Sequence, residues 1–279
     1  MPSFMHDLEN DVFDEEKYWL QVTPDHIRDL RQHFLDTWNE EDDLYYPEDV
    51  KRLRESDDFC RRIITHVRLD MSIAHKLLNY SLKWRKFVNI YDIKEEKLMK
   101  EVFQRGALFP FNKDKFGCHI LMLRLKLYSK TLVPTEVLKQ TLLFFLEKMY
   151  NEMGAKRVTI IFDCTDAGIG NVDLDMVKFI LNTFIKRYPL GMGFVIVYDM
   201  PWLFTAAWKI IKGWLIPEAA ARIKMVNKDQ IKEYVDVQNL PLRMGGTDEY
   251  EYEYKAGNPL GDRCPGPECK TDVSLSSSK

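Results

Sequence analysis

The side chains best placed to do chemistry are Asp163-Cys164-Thr165-Asp166, which end the apolar run beginning at Val158. A cysteine beside carboxylates at a strand end could act as a nucleophile with Asp163 as its base, and α/β proteins place ligands at such ends. The rest of the chain offers that chemistry little support. No Gly-x-Ser-x-Gly elbow is present, and the histidines (His6, His26, His33, His66, His75, His119) are scattered. Gly168-Ile-Gly170 supplies two glycines of a phosphate loop, lacks the third, and runs into Asp173 and Asp175. Carboxylates at a helix start cap it well and cradle phosphate badly. Cys264-Pro-Gly-Pro-Glu-Cys269 is half of a metal pattern without a second Cys/His pair. The expectation is a strand end followed by a helix cap, with no catalytic residue, no metal site and no cofactor. An enzyme acting from Asp163 and Cys164 is the lesser reading.

A different chemistry, that of apolar surface, is concentrated in Pro201-Trp-Leu-Phe-Thr-Ala-Ala-Trp-Lys-Ile-Ile-Lys-Gly-Trp-Leu215. From Trp202 to Leu215 there is no acid and no proline, so the stretch predicts an unbroken helix of ~21 Å. It carries two apolar stripes at helical spacing, Leu203-Ala207-Ile210-Trp214 and Phe204-Trp208-Ile211-Leu215. Only a narrow polar line remains, through Thr205, Lys209 and Lys212. A helix apolar nearly all round is buried on both sides or touches lipid. It is therefore either a core helix or a lid with one face on the protein and the other on lipid.

The elements that must position these residues follow from periodicity. Thr23-Pro24-Asp25 predicts a capped helix to about Trp38, Glu40–Asp43 a linker, and Pro47 opens a helix over Glu48–Val67. Asp70 starts another to about Phe87. Phe111–Gly117 reads as a polar turn ahead of a strand, Ile120–Tyr128, whose leucines alternate with Met122, Arg124 and Lys126. A helix between Pro134 and Gly154, a strand Val158–Asp163, a helix Asp173–Tyr188 and a buried strand Phe194–Tyr198 follow. Arg222–Val226 is a short last strand and Lys228–Tyr234 a last helix. Strands alternating with helices predict an α/β fold with a largely parallel sheet.

Composition narrows the setting. The 279 residues carry a formal charge of −3, but residues 1–60 hold 18 acids against 6 bases and the remainder 25 against 34. An acidic head on a basic body speaks against bulk nucleic-acid binding and suits local basic patches meeting an anionic membrane surface. An ordinary solvated charge distribution is the plain alternative. Five irregularly spaced cysteines predict reduced thiols in a cytosolic protein. The start lacks the apolar core of a secretory signal. No run reaches the ~18 apolar residues of a spanning helix, so membrane contact is expected to be peripheral.

With these segments placed, the chain resembles the CRAL-TRIO lipid-binding family over roughly Glu48 to Gly246. The markers are Asp70-Met-Ser-Ile-Ala with Trp84-Arg85, Asn112-Lys-Asp-Lys-Phe-Gly117, Val158–Asp163, Tyr188-Pro189, Asp199-Met-Pro-Trp-Leu-Phe204 leading to Trp208-Lys-Ile-Ile-Lys212, and Leu240-Pro-Leu-Arg-Met-Gly-Gly246. More narrowly, Asp199-Met-Pro-Trp-Leu and Met244-Gly-Gly-Thr-Asp248 look like the CRAL-TRIO region of motile sperm domain-containing proteins. Those proteins add a β-sandwich and a membrane anchor, so this sequence, which shows neither, is expected to be a short form, a fragment or a divergent relative. The resemblance implies a helical N-terminal lobe and an α/β lobe whose sheet floors a gated apolar cavity. Division is expected into an acidic helical extension (1–46), the helical lobe (47–90), the lipid-binding lobe (91–246) and a poorly ordered tail (247–279).

The implied ligand is one hydrophobic lipid. The implied cavity residues are Leu121, Leu123, Ile160, Phe162, Val195 and Val197. The gate would be Trp202, Leu203, Phe204, Ala207, Trp208, Ile211 and Leu215, with Lys209, Lys212, Arg222 and Lys224 meeting headgroups. Family members that bind phosphatidylinositol place a Glu after Tyr-Pro and a Lys on the strand after the gate. The matching positions are Leu190 and Arg222: a cation is kept and the carboxylate is not, so phosphatidylinositol is not claimed as the ligand and the lipid is left open. The resemblance also implies a cytoplasmic protein peripheral to membranes, at the endoplasmic reticulum surface if a longer anchored form exists. A protein-interaction or membrane-tethering scaffold of the same shape, without lipid, is the alternative; the sequence singles out no protein partner.

Overall fold

The computed structural model describes residues 13–215 and 217–262. The Cys264/Cys269 pair and most of the expected tail therefore lie outside the described residues. The described chain divides into two units.

The first unit holds the chain through Asp92 together with Leu181–Leu190. Its helices are α1 (Glu15–Gln21), α2 (Pro24–Thr37), α3 (Pro47–Glu55), α4 (Asp57–His66) and α5 (Met71–Phe87). The single helix expected over Glu48–Val67 is two, because Ser56 leaves helical geometry and its side chain caps the Phe59 amide at 3.1 Å. Ile27, Leu30 and Phe34 of α2 share one core with Val50, Leu53, Ile63, Ile64 and Leu77. The acidic extension and the helical lobe expected as separate segments thus pack together. Inside this unit Arg85 donates through Nε to both oxygens of the buried Asp49 at 2.9 Å, and the Tyr91 hydroxyl donates to Asp49 at 2.9 Å. Burial and the Asp49 charge push the Tyr91 hydroxyl up to about 12.

The second unit is built on one five-stranded sheet, β1 (Leu108–Lys113), β2 (His119–Arg124), β3 (Val158–Asp163), β4 (Met192–Tyr198) and β5 (Ile223–Val226), in that spatial order. Helix α6 (Lys100–Gln104) precedes it, and α7 (Thr135–Asn151), α8 (Leu174–Lys186), α9 (Thr205–Lys212) and α10 (Pro217–Arg222) fall between the strands. β1 pairs antiparallel with β2, and the other three pairs are parallel. The fold is α/β, with a helical N-terminal unit and a mostly parallel sheet.

Three expectations change here. The polar turn before β2 is the tip of a hairpin whose first strand, β1, tolerates Pro110 because it lies at the sheet edge. β2 ends at Arg124 rather than Tyr128, since Leu125–Leu127 form a 3-10 turn. The expected last helix is a 3-10 turn, Gln230–Glu233.

In the hairpin tip Asp114 accepts the Phe116 and Cys118 amides at 2.9 and 2.8 Å and the Thr159 hydroxyl at 2.6 Å. Gly117 supplies the positive φ of 78° that closes the turn.

One sheet face carries Ile120, Met122, Ile161, Ile196, Tyr198 and Val226, and it is covered by Ile231, Val235, Leu240 and Met244. The stretch after Gly246, expected as a loose tail, continues this cover as far as it is described. Tyr252 stacks on Phe109 at 4.6 Å, Tyr250 on Phe111 at 6.3 Å and Tyr254 on Phe103 at 5.1 Å.

Candidate functional site

Parallel strands that each step one place in the same direction, by right-handed connections, leave those connections on one face of the sheet. That face is opposite the C-terminal cover, and alternation gives it the expected floor residues. Leu121, Ile160 and Val195 lie side by side as one rung, and Leu123, Phe162 and Val197 as the next. All are buried except Val197, which is half-buried. The rungs continue onto β5 as Ile223 and Met225, two floor positions missed from sequence. Their signal was the alternation Ile223-Lys224-Met225 in a stretch too short to orient by itself. Burial falls along the second rung, from Leu123 to the exposed Met225.

The stretch that links β4 to β5 begins at Asp199, whose φ of 50° puts a left-handed residue at the strand end. Aspartate and asparagine tolerate that conformation better than other side chains with a Cβ. Trp202–Phe204 is a 3-10 turn and α9 spans only Thr205–Lys212, so the ~21 Å helix expected from sequence is about 12 Å long. Phe204 is buried; Leu203, Ala207, Trp208, Ile211, Trp214 and Leu215 are half-buried; Trp202 and Ile210 are exposed. Two stripes thus exist, and they differ at two positions: Phe204 of one is buried, Ile210 of the other is exposed, and the rest are half-buried. No residue of α9 is fully buried, although five of its eight are apolar. Lys212 Nζ lies 5.6 Å from the Trp208 ring, and Lys178 of α8 lies 5.6 Å from that of Trp214.

Of the four cations expected at headgroups, Lys209 and Lys212 are exposed on α9. The other two are placed differently. Arg222 donates to the Met192 and Gly193 carbonyls at 3.2 Å, and burial lowers its pKa. Lys224 pairs in register with Ile196, so it stands on the covered face, away from the floor. Strand alternation, which a one-residue slip would reverse, decides that side. Leu190 is buried with φ at 54°, and its amide donates to His66 Nδ1 at 3.4 Å.

The candidate nucleophile has no activation. Cys164 is buried, its Sγ reaches the Phe162 carbonyl at 3.6 Å, and burial with the charges of Asp163 and Asp199 pushes the thiol up to about 12. A protonated thiol is a poor nucleophile. Asp163 accepts from Arg243 Nε at 3.0 Å. Asp173 caps α8 through the Met176 amide at 3.1 Å and accepts the Tyr128 and Thr135 hydroxyls at 2.5 and 2.7 Å. Those hydrogen bonds hold its carboxyl at about 2 against burial, which acts the other way. The strand end and helix cap are therefore structural.

The family model for the CRAL/TRIO domain matches residues 103–246, more than half of the chain and the whole of the sheet with its connections. The chain belongs to the CRAL/TRIO domain family. Among relatives of this CRAL/TRIO chain, phosphatidylinositol transfer protein CSR1 of Eremothecium gossypii is 28% identical over 218 residues, covering 71% of this chain and 48% of its own. CRAL-TRIO domain-containing protein C3H8.02 of Schizosaccharomyces pombe is 24% identical, covering 74% and 49%. The chain spans about half the length of these relatives. The crystal structure of Sfh5 superposes with a TM-score of 0.61 at 14% identity, over 90% of this chain and 95% of that one. Among the described residues no helix is long and apolar enough to cross a membrane.

Proposed function

We propose that this CRAL/TRIO chain holds one lipid against the Leu121-Ile160-Val195 and Leu123-Phe162-Val197 rungs, beneath the segment Trp202–Leu215, and exchanges it at a membrane. The observation that carries the reading is the state of α9, an apolar helix of eight residues with none fully buried. A core helix of that composition would be enclosed; one that must lift away gains by being lightly seated. Family membership supports a lipid ligand, as does the name of the Eremothecium relative, which is a phosphatidylinositol transfer protein.

Magnitude explains why such a lid is needed. Each buried CH₂ contributes ~0.8 kcal/mol, so a chain of ~16 carbons is held by roughly 12 kcal/mol and leaves for water far too slowly. Exchange therefore takes place with the lid against a bilayer, where Lys209 and Lys212 meet anionic headgroups. Phosphatidylinositol is not proposed as the ligand. One of the two positions that the family resemblance assigns to its phosphate holds Leu190, and the other, Arg222, is bound to backbone carbonyls. The narrower likeness to motile sperm domain-containing proteins rests on Asp199-Met-Pro-Trp-Leu and Met244-Gly-Gly-Thr-Asp248, and would put the chain at the endoplasmic reticulum surface if a longer anchored form exists. The test is Trp208→Glu, assayed by native mass spectrometry of protein made in a eukaryotic host. Lipid loading is expected to be lost with the fold intact. Wild-type stoichiometry in that variant refutes the gate, and absence of lipid from the wild type favours a scaffold.

A further inference from the structure

A cleft of about 380 Å³ opens between α2 and α5, wholly inside the first unit. That volume lies in the range of small-molecule sites, ~300–1,000 Å³. Its floor is apolar: Leu30, Phe34 and Leu78 are all buried. One wall is a pair of imidazoles. His33 of α2 stacks on His75 of α5 with ring centroids 3.8 Å apart and 11° between the planes. Asp29 lies 3.3 Å from His75 Nε2 and steadies the inner ring. Burial, and after it the charge of His33, lowers the His75 pKa, so that ring is neutral near pH 7. The outer ring, His33, is exposed, and no second ring is stacked on it among the described residues.

The rim supplies cations and donors. Lys76, Asn79 and Lys83 stand at i, i+3 and i+7, one stripe of α5 about 10 Å long. Asn79 Oδ1 accepts the Tyr45 hydroxyl at 3.1 Å, which leaves its Nδ2 to donate. Lys83 Nζ lies 5.7 Å from the Tyr45 ring, and neither lysine has an ion-pair partner among the described residues. No aspartate or glutamate lines the cleft and α5 carries none, although residues 1–60 hold 18 acids against 6 bases. In so acidic a unit, two unopposed ammonium groups over an apolar floor complement an anion that also has apolar surface. We propose that the α2–α5 cleft binds a small amphiphilic anion, an aromatic or short aliphatic body bearing a phosphate or carboxylate. The body lies on Leu30, Phe34 and the His33 ring, and the anionic group meets Lys76, Lys83 and Asn79. The site uses no residue of the sheet floor or the lid, so it goes beyond the lipid-exchange reading and does not depend on it.

The test is an NMR titration of the full chain with 1-naphthyl phosphate, following the ring protons of His33 and His75, assigned with His33→Gln and His75→Gln. Inorganic phosphate and 1-naphthylmethanol, the two halves of the probe, are titrated in parallel. The whole probe is expected to give saturable upfield shifts at His33, and either half to bind at least about ten-fold more weakly. Lys76→Gln and Lys83→Gln, both at exposed positions, each weaken binding about five-fold, and about twenty-five-fold together, with unchanged melting. Trp208→Glu leaves the titration unchanged. The absence of a saturable shift at either histidine overturns the proposal, as does binding by the double lysine variant within about two-fold of wild type. Inorganic phosphate binding as tightly as the whole probe overturns the amphiphilic ligand, and 1-naphthylmethanol doing so overturns the anionic one. Loss of the shifts in Trp208→Glu would assign the probe to the lipid cavity and overturn the separate site. If Trp208→Glu keeps its lipid while the lysine variants behave as expected, the gate reading falls and this one stands.

Discussion

His119 makes the fold of the second unit sensitive to acid in a way that can be worked out from its surroundings. It opens β2, is fully buried, and has no hydrogen-bond partner on either ring nitrogen among the described residues. Burial, and secondarily the charge of Lys113 on the paired strand, lower its pKa from 6.5 to about 4. A group that binds its proton more weakly when folded contributes stability that is complete above pH 6.5 and is lost as the pH falls. Below 6.5 the unfolded chain takes up a proton that the folded chain refuses until about pH 4. In the middle of that window each pH unit costs about 1.36 kcal/mol, and with the slope tapering at both ends the loss between pH 6.5 and 4.5 is about 2.2 kcal/mol. His119→Met keeps an apolar side chain of similar size on the rung and removes the titration. Urea midpoints, converted with the measured m-value, should fall between pH 7.5 and 4.5 by about 2.5 kcal/mol more in the wild type than in the variant. Acid effects elsewhere, including that of His75, whose pKa is also lowered by burial, cancel in this difference. The variant should also gain at pH 7.5, because an unpaired buried polar group costs about 1–3 kcal/mol. Parallel pH profiles, agreeing within about 0.5 kcal/mol, would refute the reasoning.

Two further outcomes follow from the packing. Arg85→Met strands the Asp49 carboxylate in the interior of the first unit, where both Arg85 bonds are 2.9 Å. It should cost about 3–5 kcal/mol, with the double variant Arg85→Met/Asp49→Leu recovering most of that in thermal melts. Gly193→Ala should destabilise by about 1–3 kcal/mol in the same melts, since an added Cβ would lie 2.5 Å from Thr159 Oγ1 and 3.0 Å from Cys118 Sγ.

Much of the fold was legible because burial writes itself into spacing. The alternation of β2 and the unbroken apolar runs of β3 and β4 gave the central strands, and Asp70 and Thr23 marked helix starts that their side chains do cap. β1 was hidden because Pro110 argues against a strand unless the strand is known to be at the edge, which is a fact of topology. Ser56 passes for an ordinary helical position in sequence because a cap is recognised by backbone angles as much as by residue type. Glu249-Tyr-Glu-Tyr-Glu-Tyr254 has the composition of a loose tail, but its strict alternation is the stronger signal. The tyrosines stack on phenylalanines, and Glu251 faces Arg124 and Arg243 at 3.5 Å.

The candidate site shows where such reading stops. Types and spacing singled out the stretch after Pro201, yet they could not fix its length or its cations. Its shortening to α9 follows from the 3-10 start at Trp202–Phe204 and the end at Gly213, choices that propensity leaves nearly balanced. Arg222 and Lys224 read as headgroup cations from sequence because both are basic and follow the stretch expected to be a gate. A strand sends alternate side chains to opposite faces, so Lys224 had to leave the floor once Ile223 and Met225 joined it. Arg222, at the end of α10, found carbonyls of β4 nearer than solvent. What remains exposed in this segment is Lys209 and Lys212 beside Trp202 and Ile210. Two lysines rather than four are then left to meet anionic headgroups, at about 1 kcal/mol each, so the attraction to an anionic surface is about half of what the four expected cations would supply.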